Sequence, residues 1–158
     1  MNKTDRYRET LKSVADWEDY LMSESNLPGP RGNLELVAAV VTEGDAGRFE
    51  RLRKYTADRA PENTPEAFLC VCGVAGLGKL LAEGRFEFLS ELRQYAGDPR
   101  WRIREAVVMA LERLGRVGMD RLLEEMEVWS QGSLARARGF AGAGQGDLFT
   151  RRRTSTRR

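Results

Sequence analysis

The sequence predicts an all-α fold arranged as an α-solenoid, a stack of helix pairs. Three observations predict it. Apolar residues recur at helical spacing behind recognisable cap residues through most of the 158 residues. No stretch alternates with period two over strand length. Helix pairs also repeat: "LRKYTA" at 52–57 recurs as "LRQYAG" at 92–97, and "MEVWSQ" at 126–131 takes the same place, a spacing of about 34 to 40 residues. A pair that is amphipathic on two sides buries both only by stacking on its neighbours.

The elements follow in chain order. Thr4 is the expected cap of a helix from Asp5 to about Ser23, with Tyr7, Leu11, Val14 and Leu21 on one stripe. "SVAD" at 13–16 reads as a second capping box, so one helix or two are both open here. "SNLPGPRG" at 25–32 carries two prolines and two glycines and ends the segment. Asn33 then caps "LELVAAVV", and Asp45 caps a helix aligning Phe49, Leu52 and Tyr55. At Thr64-Pro65-Glu66 a cap, a first-turn proline and an acid at the positive helix end stand together.

The helix that follows, "AFLCVCGVAGLG", is expected to stop at Gly78. "RFEFLSELRQYA" comes next. Asp98 is then the expected cap of "DPRWRIREAVVMALERLG", with Val107, Ala110, Leu111 and Leu114 on one face and Gly115 as the stop. "MDRLLEEMEVW" aligns Leu122, Met126 and Trp129, and Ser133 is the expected cap of a last helix, "LARARGFAGA". One helical-repeat domain is expected over 1–143, with a disordered glycine-rich and basic tail over 144–158.

Composition narrows the chemistry. Histidine is absent, which removes the commonest general base, the commonest metal ligand and the Ser-His and Cys-His nucleophile pairs. The two cysteines, Cys70 and Cys72, would point about 200° apart on a helix. They are expected as buried free thiols rather than a disulfide or a metal pair. No cofactor and no metal are expected, and the chain reads as a non-enzyme. "MNKTDRYRETLK" has no apolar core of a secretory signal, and no run of ~18 apolar residues is evident. A cytoplasmic protein without membrane contact is expected.

"GVAGLGKLL" at 73–81 imitates a phosphate-binding loop. Such a loop needs a strand before it and a Ser or Thr after the lysine. Here Leu80 follows Lys79, and the capped segment before it is helical. Gly73 and Gly76 are instead expected to let a neighbouring helix come close.

At "DPRWRIREAVVMALERLG" the chain resembles HEAT-repeat proteins, including uncharacterised bacterial ones. Asp98, Ile103-Arg104, Ala106, Ala110-Leu111 and Leu114-Gly115 stand where such repeats carry their pattern, and the resemblance covers about 33–143. It implies a right-handed α-solenoid of antiparallel pairs, two and a half to three repeats behind an N-terminal helical segment. It also implies that Asp98 and Arg104 belong to a ladder of polar contacts between repeats. Function follows only weakly from such a fold.

Three residues are candidates for a binding surface. Trp101 and Arg102, with Arg104 beside them, form an aromatic-basic cluster able to stack on a base or grip a phosphate, and Arg31 sits in the proline loop. The expected function is a scaffold that binds a protein or peptide. The alternative is nucleic-acid association, with an architecture related to the DNA-alkylation-repeat glycosylases. Net charge is +2, but "RRRTSTRR" holds five of the 26 basic residues; without it 21 bases face 24 acids, a net of −3. Nucleic-acid contact is therefore expected through Arg151, Arg152, Arg153, Arg157 and Arg158 rather than through the repeats. The last repeat shows no polar cap, so either self-association, a partner or a longer repeat protein is expected to complete the stack.

Overall fold

The structure, a computed structural model, describes residues 1–141, with side chains through Gln131. Among the described residues there are eight α-helices, one 3-10 turn and no strand. The chain divides into two compact units, Met1–Gly118 and a second beginning at Met119. The expected boundary between 143 and 144 lies outside the described residues, as does the basic tail.

The N-terminal segment forms two helices, α1 (Lys3–Ser13) and α2 (Trp17–Ser23). Asn2, not Thr4, caps α1, its Oδ1 accepting from Asp5 N at 2.8 Å. Asp16 caps α2 by accepting from Asp19 N. Buried Trp17 fixes the bend by donating its indole N–H to the Leu11 carbonyl at 3.0 Å.

Asn33 caps α3 (Leu34–Glu43), Asp45 caps α4 (Ala46–Arg53) and Thr64 caps α5 (Pro65–Ala82), as the sequence predicts. Helix α5 is the core of the first unit. It is long and apolar enough to cross a membrane, with a mean hydropathy of 1.5, yet 78% of it is buried inside the fold. It does not stop at Gly78. That glycine is where α7 (Trp101–Val117) crosses, and a Cβ there would lie 2.7 Å from Ala110 Cα. Gly73 and Gly76 play the same part for α4: Arg53 N and the Phe49 carbonyl would both lie 2.8 Å from a Cβ at Gly73. The three glycines cost about 1 kcal/mol each in helix propensity. In return two helices approach α5 at backbone distance, which lets Phe49, Leu77 and Ala110 bury completely.

Helix α6 (Leu89–Tyr95) follows the 3-10 turn Phe86–Phe88 and packs on α7. Asp98 does not cap α7, which starts at Trp101 with no side-chain cap. Nor does Gly115 end it: Gly115 is buried within the helix, and Gly118 is the C-cap. Helix α1 packs on α3, α3 on α5 and α5 on α7, while α2 and α4 also pack on α5.

The second unit holds α8 (Met119–Ala141). The pair of helices expected over 119–143 is thus one continuous helix through Ser133. No proline lies in it, and two glycines and two serines cost too little to break a helix of this length.

Candidate functional site

The loop before α3 is built by its polar residues. Asn33 is 2% exposed and uses its whole side chain. Its Oδ1 accepts from Leu36 N, and its Nδ2 donates to Tyr7 Oη at 2.9 Å and to the Glu24 carbonyl at 2.8 Å. Its backbone N–H closes the loop on the Ser25 carbonyl. The loop tip is held from the other side. Gly29 donates to Asn63 Oδ1 at 3.0 Å, and Arg102 Nη2 donates to the Gly29 carbonyl at 2.9 Å.

Between this loop, α3 and α7 runs a groove, with α5 as its floor. It consists of two adjoining hollows of about 140 and 180 Å³ that share Leu34, Val37 and Met109. Phe68, Val71 and Ala75 face it from α5. By helix geometry they lie roughly opposite Gly73 and about 80–140° from Gly76, where α4 packs. The groove is therefore the side of α5 that α4 does not cover.

Arg31, Trp101 and Arg102 all line the loop end of this groove. Trp101 is 47% exposed, and the Arg102 guanidinium stacks 4.5 Å from its ring centroid. Arg102 itself is 8% exposed and already engaged, with Gly29, Asn63 and an ion pair to Glu62 at 3.4 Å. Its first role is to fasten the loop to α7. Arg31 is exposed and makes no hydrogen bond or ion pair among the described residues.

Sequence reasoning missed the far end of the groove. Arg113 and Arg116 line it beside Glu112, and neither arginine has a partner among the described residues. The signal was available: Trp101, Glu105, Met109, Glu112 and Arg116 recur at intervals of four, four, three and four, a second face of α7. That face is mixed in polarity, and a search for apolar stripes passes over it.

The two ladder residues are not among those lining the groove: Asp98 lies in the turn between α6 and α7, and Arg104 on the first turn of α7. Arg104 is exposed; its Nη1 donates to the Asp98 and Pro99 carbonyls at 2.7 and 3.1 Å, so it serves its own turn. The connection between turns is made by Arg100, which is 3% exposed. Its Nε and Nη2 both donate to the Asp98 carboxylate at 3.0 Å. Its Nη1 donates to the carbonyls of Tyr55 and Ala60, in the segment between α4 and α5, at 2.8 and 3.0 Å. Burial pushes the Asp98 carboxyl up, but the hydrogen bonds from Arg100 outweigh it and hold it below its ordinary value. Arg53 makes a second link of this kind, from α4 to Glu91 on α6.

The cysteines are free and buried. Burial pushes the Cys70 thiol up to about 11 and the Cys72 thiol well above its ordinary value, so neither is a nucleophile at neutral pH. Among the described residues no three His, Cys, Asp or Glu side chains are placed to hold a metal ion. Lys79, the lysine of the glycine-rich run, donates to the Thr42 and Gly44 carbonyls, both at 2.8 Å. It ties down the C-terminal end of α3 and is spent on the fold.

Against this geometry, no protein-family model, no curated protein and no solved structure matches the chain.

Proposed function

We propose that the chain is a non-enzymatic scaffold, a HEAT-like α-solenoid whose groove between α3 and α7 binds a peptide segment of a protein partner. One observation carries this. The groove joins exposed apolar surface, Leu34 and Trp101, to three arginines with no internal partner among the described residues. Apolar anchors within reach of unused charges suit a polypeptide that offers both. The solenoid reading draws support from the succession α1, α3, α5, α7, each packed on the next in chain order.

The duplex-reading alternative would use Trp101 and Arg102. Arg102 is held by Gly29, Asn63 and Glu62, and Glu105 and Glu112 face the same groove, which disfavours a phosphate backbone.

The test is selection of displayed random peptides against the folded chain. The selected sequences should combine an apolar residue with Asp or Glu. Trp101→Ala and Arg116→Glu should each weaken them about tenfold or more, the loss of one anchor, without moving the thermal midpoint. Binders insensitive to both substitutions would place recognition elsewhere.

A further inference from the structure

The chain itself carries a segment with the chemistry that this groove suits. On α8, Met119, Leu122, Leu123, Met126 and Trp129 fall within about 120° of arc. Asp120 and Glu127 flank this stripe on one edge and Glu125 on the other, by the same geometry. Met119 and Leu123 are exposed at 55% and 59%. From Met119 to Gln131 the helix holds four acids and one base, a net of −3. The groove is the opposite in kind. Its unpartnered side chains include Arg31, Arg113 and Arg116 against Glu105 and Glu112. Lengths also agree: the stripe covers about 15 Å, and α7 runs about 22 Å from Trp101 to Arg116.

Building on the reading of the groove as a docking surface, we propose that its occupant is helix α8 of a second copy of this chain. Leu122, Leu123 and Met126 would lie over Leu34, Val37 and Met109, with Asp120 and Glu127 toward Arg113 and Arg116, since Glu125 is already paired with Arg121 at 3.2 Å. The two surfaces differ, so the contact is heterologous. Each copy that donates a helix still offers its own groove, so association rises with concentration, either by reciprocal exchange within a closed pair or ring or by continued addition. Salt weakens it, because the arginine–carboxylate pairs sit at an open rim.

The experiment is sedimentation velocity of the full chain from low to high micromolar concentration, with two variants. One is Arg113→Glu with Arg116→Glu, which spoils the groove and leaves α8 intact. The other is Leu123→Asp, which spoils the helix and leaves the groove intact. Circular dichroism and the thermal midpoint of each variant check that it is folded. The wild type should associate into a dimer or larger as concentration rises, and each variant alone should stay monomeric. An equimolar mixture of the two should form a one-to-one pair and nothing larger, since it contains one good groove and one good helix. A wild type that stays monomeric throughout, or a mixture that does not pair, overturns the proposal. If selected peptides still bind the groove of such a monomer, the occupant alone was misidentified; if they do not respond to Arg116→Glu either, the groove reading itself fails.

Discussion

Replacing Arg100 by methionine should be among the most damaging single changes the first unit can suffer. The side chain is 3% exposed and makes two bonds to Asp98 and one to each of the Tyr55 and Ala60 carbonyls. Methionine keeps much of the stem's packing and removes all four, together with the 3.5 Å bond from Nη2 to Cys70 Sγ. The Asp98 carboxylate, whose side chain is only 12% exposed, is then left without its cation. Breaking one half of a buried pair costs about 3–5 kcal/mol. The two stranded carbonyls would add about 1–3 kcal/mol each if water could not reach them. They sit in a turn that can open, so we expect about 4 kcal/mol in all, a large share of the roughly 5–15 kcal/mol that holds a domain together. At an m-value of about 1.5–2 kcal/mol/M the urea midpoint should fall by about 2 M or more. The control is Arg104→Ala, which removes only exposed bonds within one turn and should cost under about 1 kcal/mol. Adding Asp98→Asn to the Arg100 variant should recover part of the loss, because the uncompensated charge is gone. Equal effects of Arg100→Met and Arg104→Ala in urea denaturation would refute the assignment of the inter-turn link to Arg100.

The remaining expectations are shorter. Gly78→Ala gains about 1 kcal/mol in helix propensity but sets a methyl 2.7 Å from Ala110 Cα, so the overpacking cost of about 1–3 kcal/mol should win; a raised melting temperature would contradict it. Titration calorimetry with ATP and Mg²⁺ should show no Lys79-dependent binding, and Lys79→Met should lower the melting temperature by freeing the α3 carbonyls it holds. The depressed Asp98 carboxyl contributes stability above its unfolded value of about 3.9, and that contribution is lost as pH falls through the lower folded value. Asp98→Asn should therefore flatten the acid limb of a stability–pH profile, and an unchanged limb would count against the pair. Any nucleic-acid affinity should vanish when residues 150–158 are deleted and should fall with salt at a log–log slope of about −3 to −5, with little sequence preference.

Much of this protein was legible in the sequence because it depends on neighbours in the chain. Asn33, Asp45 and Thr64 cap helices where they stand, since a cap needs only the next three residues. The all-helical class follows from the same local signals, and so does the helical conformation of "GVAGLGKLL" where a phosphate loop would need a strand and a turn. Local reading was misled where a glycine had a distant cause. Gly78 and Gly115 look like helix stops, yet both lie inside helices, and at Gly78 the reason is Ala110 on another helix. Ser133 resembles a cap, but a cap position also needs a reason for the previous helix to end, and α8 has none.

The tertiary structure alone decided which polar residues work for the fold and which remain unused. Arg100, Arg102 and Arg104 lie within five residues of one another and look alike in sequence. One is a buried link between turns, one fastens a loop and one serves its own turn. Their partners, Tyr55 and Ala60, Gly29, and Asp98, lie from six to 73 positions away. Arg113 and Arg116 come to share a groove with Arg31 only because α3 and α7 both pack against α5. Helix caps are settled by bonds three residues long. A groove is settled by how α3 and α7 pack against α5, and no periodicity in one segment contains that information.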